Sequence, residues 1–183
     1  MLAAAWLNSC HKDTPRPPSK PGPCLWPEIT SEGVNTFGCK INGKEWVPCA
    51  DIYALAAANR PIDASFTESN GLNALSLTGV YSMTSVDSTS NSYGIAFWPL
   101  HIGKIPSEEL EHAFFTFSER HESQFIDRWE LPISREGLQL EILRLDTAKN
   151  IISGTFEAVL LPKFGTDTLF ITDGRFDVTY YQQ

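Results

Sequence analysis

Apolar and polar residues alternate on both sides of two dipeptides, Asn42-Gly43 and Asp173-Gly174, and this pattern constrains the fold most. Asn-Gly and Asp-Gly favour tight turns with positive φ at both central residues, and such turns join antiparallel strands. Around the first, Phe37, Cys39, Ile41 and Trp46 share a face, while Lys40 and Glu45 oppose each other on the other. Around the second, a hairpin sets Ile171 opposite Phe176 and Leu169 opposite Val178, and Tyr180 continues that face. Thr172, Arg175, Asp177 and Thr179 then point outward, with Phe170 as the apolar exception. One face is core and the other mostly wet.

Further strands follow between the two dipeptides. Ala74–Ser82, Tyr93–Trp98, Ala113–Ser118 and Gln124–Leu131 are short runs of strand character. Leu138–Leu145 alternates until Ile142-Leu143, where the parity slips as it does at a bulge. Asn150–Leu161 alternates too, and Gly154 within it marks a bend or a close approach. Helix is confined to Asp51–Asn59, which stops before Arg60-Pro61, and to Ser107–His112, with Ser107 as its N-cap. Thr84–Ser92, rich in Ser, Thr and Asn, reads as a loop. The expected fold is all-β: an antiparallel β-sandwich or flattened barrel of about eight to ten strands with one or two short helices. Alternation looks the same in a sandwich and a barrel, so it does not choose between them.

The N-terminal segment carries an address. Residues 1–9 (MLAAAWLNS) are apolar or small and uncharged, and Leu7-Asn8-Ser9-Cys10 resembles a lipobox, the site at which bacterial lipoproteins are cleaved and acylated. We read residues 1–9 as the remainder of a secretory leader whose natural start lies upstream, and Cys10 as the lipidated residue. Five prolines in residues 14–23 favour an extended polyproline stalk, on the order of 30 Å long at about 3.1 Å per residue. The expected organisation is a lipidated, Pro-rich tether over 10–33 and a single β domain over 34–183. With Cys10 acylated, Cys24, Cys39 and Cys49 allow one disulfide, and hairpin geometry favours Cys24–Cys49 or Cys24–Cys39 over Cys39–Cys49.

Asn35–Pro48 (NTFGCKINGKEWVP) resembles the opening of an uncharacterised lipoprotein family of Bacteroidota-type bacteria. Asn150–Phe156 (NIISGTF) and Ile171–Val178 (ITDGRFDV) resemble its closing strands. The resemblance implies an all-β domain behind a lipidated cysteine. It implies no reaction. The expected location is the cell envelope, lipid-anchored to the outer membrane and either periplasmic or surface-exposed.

Charge and motifs narrow the function further. Lys and Arg number 14 against 22 Asp and Glu, a net charge of −8, which argues against a nucleic-acid partner. No GxSxG motif, phosphate loop or CxxC occurs, so nothing in the sequence calls for a cofactor or a metal. His101, His112 and His121 fall among glutamates, at spacings that suit a solvated acidic face better than a metal. Aromatic residues crowd the middle third, chiefly as core, and Trp98, His121 and Trp129 are the candidates for a carbohydrate or peptide surface. The expectation is a non-enzymatic binding or structural module. The competing one is a secreted hydrolase of glycans or peptides, using carboxylates or His121 with Glu119.

Overall fold

Asn42 and Gly43 take φ of 49° and 78°, the left-handed pair that a two-residue hairpin requires. They join β1 (Thr36–Ile41) to β2 (Lys44–Trp46), with Ile41 facing Lys44 and Lys40 facing Glu45 as the alternation demands. The structure, a computed structural model, describes residues 24–50, 61–69, 72–82, 89–110, 112–121 and 124–182. The remaining strands are β3 (Cys49–Ala50), β4 (Ile62–Ser69), β5 (Leu72–Ser82), β6 (Thr89–Trp98), β7 (Gly103–Ile105) and β8 (His112–His121). After them come β9 (Gln124–Glu130), β10 (Gln139–Asp146), β11 (Ile151–Pro162), β12 (Leu169–Thr179) and β13 (Tyr181–Gln182).

They form one curled sheet, a half-barrel, in the order β13-β4-β5-β6-β8-β9-β11-β12-β1-β2. β10 lies beside β11 and carries β7 on its other edge. Only Tyr180 separates β12 from β13, so the chain itself carries β12 across to β4 at the other end of that order. Most pairings are antiparallel; β13–β4 and β3–β5 are the parallel ones. The fold is all-β, as the alternation predicts.

Alternation also predicts what fills the curl. Phe37 sits among the rings of Trp46, Tyr93 and Phe156, with centroids 6.0, 5.7 and 5.7 Å away. Phe115 and Phe176 each contact Phe156 in turn, so aromatic contacts run from strand to strand through the interior. Offset and edge-on ring pairs add roughly 0.5–1.5 kcal/mol each beyond the area they bury. Ile171, Phe176, Val178 and Tyr180 are all buried, while Phe170 is exposed.

Three local expectations are corrected. Asp173-Gly174 is not a hairpin turn. β12 runs through it unbroken and pairs with β11 along one edge and with β1 along the other. Asp173 has φ of 51° but Gly174 has no positive φ, so only one of the two left-handed residues is present. The result is a bulge: Phe156 faces Gly174, whereas Ala158 faces Ile171. Ser107–His112 is not a helix either. A single turn closes between Pro106 and Glu109, and His112 already opens β8; too few residues lie between Pro106 and that strand to nucleate a helix. Among the described residues there is no helix, and the expected helix at Asp51–Asn59 lies outside them. The loop expected over Thr84–Ser92 gives way to β6 from Thr89.

Two finer readings hold. The β10–β11 register shifts between Ile142 and Arg144, so Leu143 is the bulged residue. A Cβ on Gly154 would lie 2.5 Å from the Glu141 carbonyl oxygen, the close approach that a strand glycine signals. Cys24 is bonded to Cys49, and Cys39 is left as a buried thiol. Burial pushes that thiol up to about 12, so it stays protonated.

Candidate functional site

Residues 24–34 form a strap laid across the outer face of β1, β12, β11 and β10. At one end the Cys24–Cys49 bond ties the strap to β3. Pro27 follows over Gly38, where a Cβ would come within 2.9 Å of its ring. Trp26 stacks against Arg175 at 4.8 Å, and the Lys40 ammonium lies 5.8 Å from the same ring. Arg175 also donates to the Pro27 carbonyl at 3.1 Å.

Asp177 holds the other end. Its carboxylate is 1% exposed and accepts from the Thr30 hydroxyl at 2.7 Å and from the Glu32 and Gly33 amides at 2.8 and 2.7 Å. Hydrogen bonds to a charged acceptor are the stronger kind, so one outward residue of β12 anchors a whole turn of the strap. Arg144 adds a bond to the Ser31 carbonyl and pairs with Asp146 at 2.8 Å. The same bond holds the Asp146 carboxyl below its ordinary range.

The strap covers only part of the sheet. Beside it lies an open cleft of about 430 Å³, with Ile29 as its strap-side wall. Its floor follows from register. Lys104 faces Glu141, Glu141 faces Thr155, and Thr155 faces Arg175, a single row across β7, β10, β11 and β12. Directly opposed residues share a face. Ile105, Leu140, Phe156 and Gly174, the next residue along each strand, are buried, so the row points away from the core. Gln139 faces Glu157 in a parallel row two residues along. Gly174 stands where a Cβ would meet the Phe156 ring and carbonyl at 2.5 Å, so glycine keeps β11 and β12 close behind the floor.

Polar groups around the cleft divide into committed and free. Asp173, at the bulge, pairs with Lys40 at 2.7 Å, and that hydrogen bond holds its carboxyl below the ordinary range. Arg175 is spent on Trp26 and Pro27. By contrast, the side chains of Lys104, Gln139, Glu141, Thr155 and Glu157 have no partner among the described residues. The cleft therefore offers ammonium, amide, hydroxyl and carboxylate groups side by side, with Ile29 and Pro106 as apolar walls.

The residues singled out from sequence do not gather in one place. Trp98 ends β6 opposite His112, and His121 ends β8 opposite Thr89. His112 and His121 thus lie at opposite ends of one strand, about 30 Å apart at roughly 3.4 Å per residue. Trp129 is 9% exposed and packs against Phe117, and its indole N–H donates to the Asp167 carbonyl at 2.7 Å. It belongs to the core. His101 is a surface residue 3.2 Å from Glu109; its pKa is raised, chiefly by the Ile102 carbonyl and then by Glu109. Cys10 lies outside the described residues. The cleft residues escape a reading of the sequence because β7 is only three residues long. Their one local signal is that Thr155 and Arg175 each follow a strand glycine. Comparison with family models, curated proteins and solved structures finds no match for the chain.

Proposed function

We propose that this is an exported lipoprotein of the cell envelope, anchored to the outer membrane through acyl chains on Cys10, whose β domain is a non-enzymatic binding or structural module. The Leu7-Asn8-Ser9-Cys10 box, followed at once by the proline-rich stretch, carries the reading. Two features of the fold support it. A disulfide between Cys24 and Cys49 suits an oxidising compartment. The strap also begins at Cys24, directly after the last proline of residues 14–23, and residues 24–34 pack on the β domain.

The cleft supports binding over chemistry. Its best-placed cation, Arg175, and its carboxylate at the bulge, Asp173, are engaged in holding the strap and β1. Palmitate labelling in the native host, with the upstream start restored, tests the anchor. Labelled protein that loses its label on Cys10→Ala is the expected result. Unlabelled protein, or label that survives the substitution, refutes it. Incubating the protein with glycan and peptide libraries and following turnover tests the second half, and a cleaved product would make it a hydrolase.

A further inference from the structure

We infer that the cleft beside the strap binds an uncharged carbohydrate, one or two sugar rings of a neutral glycan, on the row Lys104–Glu141–Thr155 and the adjoining Gln139 and Glu157. The inference rests on the binding-module reading above and names its site and ligand class.

Size, charge and hydrogen-bonding capacity each exclude alternatives. A cleft of about 430 Å³ falls at the lower end of the 300–1,000 Å³ usual for small-molecule sites, which admits a short ligand and not a folded partner. Glu141 and Glu157 oppose a phosphate, a sulfate or another strongly anionic group, because a carboxylate oxygen only accepts and repels a second anion. Lys104 on the same floor opposes a polycation for the converse reason. An extended peptide docks on a sheet mainly through main-chain bonds at a free edge. Here the floor is a face: β10 is paired with β7 and β11 at Glu141, and β11 with β10 and β12 at Thr155, so both central floor strands are paired on both edges, and only the three-residue β7 at the rim has an outer edge with no strand beside it among the described residues.

What remains is a ligand dense in groups that both donate and accept while carrying no charge. Sugar hydroxyls have that character. Adjacent strands set the floor groups roughly 4.8 Å apart across the sheet, and the two rows lie about 7 Å apart along it. Lys104 donates, Glu141 and Glu157 accept, and Thr155 and Gln139 do both. None has a side-chain partner among the described residues, so no internal bond must break for a ligand to engage them. Ile29 and Pro106 supply apolar walls for the C–H faces of a ring.

The test uses the full chain on an array of neutral, sialylated and sulfated oligosaccharides, with a peptide array alongside. Neutral glycans are expected to be retained over the charged ones. Glu141→Gln and Thr155→Val should each weaken the best neutral glycan about tenfold, the worth of one charge-assisted or buried hydrogen bond. Both residues point outward, so melting temperature should stay unchanged, and Trp98→Ala should leave binding intact. Binding lost with Trp98→Ala but kept in both cleft variants overturns this site and leaves the binding-module reading standing. Retention of peptides alone, or of sulfated and sialylated glycans alone, overturns the ligand class. Cleavage of a neutral glycan that both cleft variants abolish supports the site and ligand while refuting the non-enzymatic reading. No retention of any glycan overturns the inference.

Discussion

Asn42-Gly43 and Asp173-Gly174 look alike in sequence and do opposite things. The first reverses the chain: both residues are left-handed, and the glycine faces open space. The second lets the chain run on. Asp173 alone is left-handed, and Gly174 lies extended against the Phe156 ring. The glycine of one dipeptide is there for its backbone freedom, that of the other for its missing side chain. A turn dipeptide therefore predicts a reversal only when no neighbour already claims both edges of the strand. β12 is flanked along its length by β11 and β1, and neither flank could be paired if it folded back on itself.

Substitutions sharpen the contrast. Gly174→Val should be the most damaging, about 3 kcal/mol or more, because its Cβ would overlap backbone and ring atoms that cannot move apart without opening β11 from β12. Thermal or urea melts would read it, and a loss no larger than that of Gly43→Ala would break the comparison. Asp177→Ala asks whether β12 depends on the strap. It leaves four donors, at Thr30, Glu32, Gly33 and Val34, without their acceptor and should cost about 2–3 kcal/mol in urea melts. Faster amide exchange confined to residues 29–34 in a destabilised variant would locate the loss. Gly43→Ala should cost only about 1 kcal/mol, the strain of a left-handed alanine with nothing to collide with.

Asp173→Asn should be the mildest. It keeps a residue that tolerates the left-handed conformation and removes only a half-exposed ion pair with Lys40. Its signature is the pH dependence. A carboxyl held below its usual 3.8 in the folded protein contributes stability above that value. As the pH falls through the depressed folded value, the melting difference between wild type and Asp173→Asn should close. A difference that grows on acidification would assign Asp173 some other role.

The contrast also marks how far the sequence reading reaches. Strand character, the burial of Phe37, Trp46, Phe156 and Phe176, the Asn42-Gly43 hairpin and the slip at Leu143 were all legible, because each depends on residues within one or two strands. β4 and β7 were missed. Ile62–Ser69 alternates through Ile62, Ala64 and Phe66, the same signal as in the strands that were read, whereas Gly103–Ile105 is too short to show a period. Asp173-Gly174 misled for a long-range reason, since what forbids the turn is the presence of β1 and β11 on either side. The cleft was invisible for the same reason. Lys104, Glu141, Thr155 and Arg175 come from four strands and become neighbours only through register.

The bond between Cys24 and Cys49 has a mechanical consequence. Tension entering the domain at residue 24 has two covalent routes, and the shorter crosses directly to residue 49. Everything between, from Leu25 to Pro48, sits in a closed loop that this shorter route bypasses. That loop contains Trp26, the Asp177-bound turn and Ile29, the strap-side wall of the cleft. A pull on the chain at Cys24 would therefore reach β3 and its pairing with β5 by the shorter covalent route, which does not pass through Ile29.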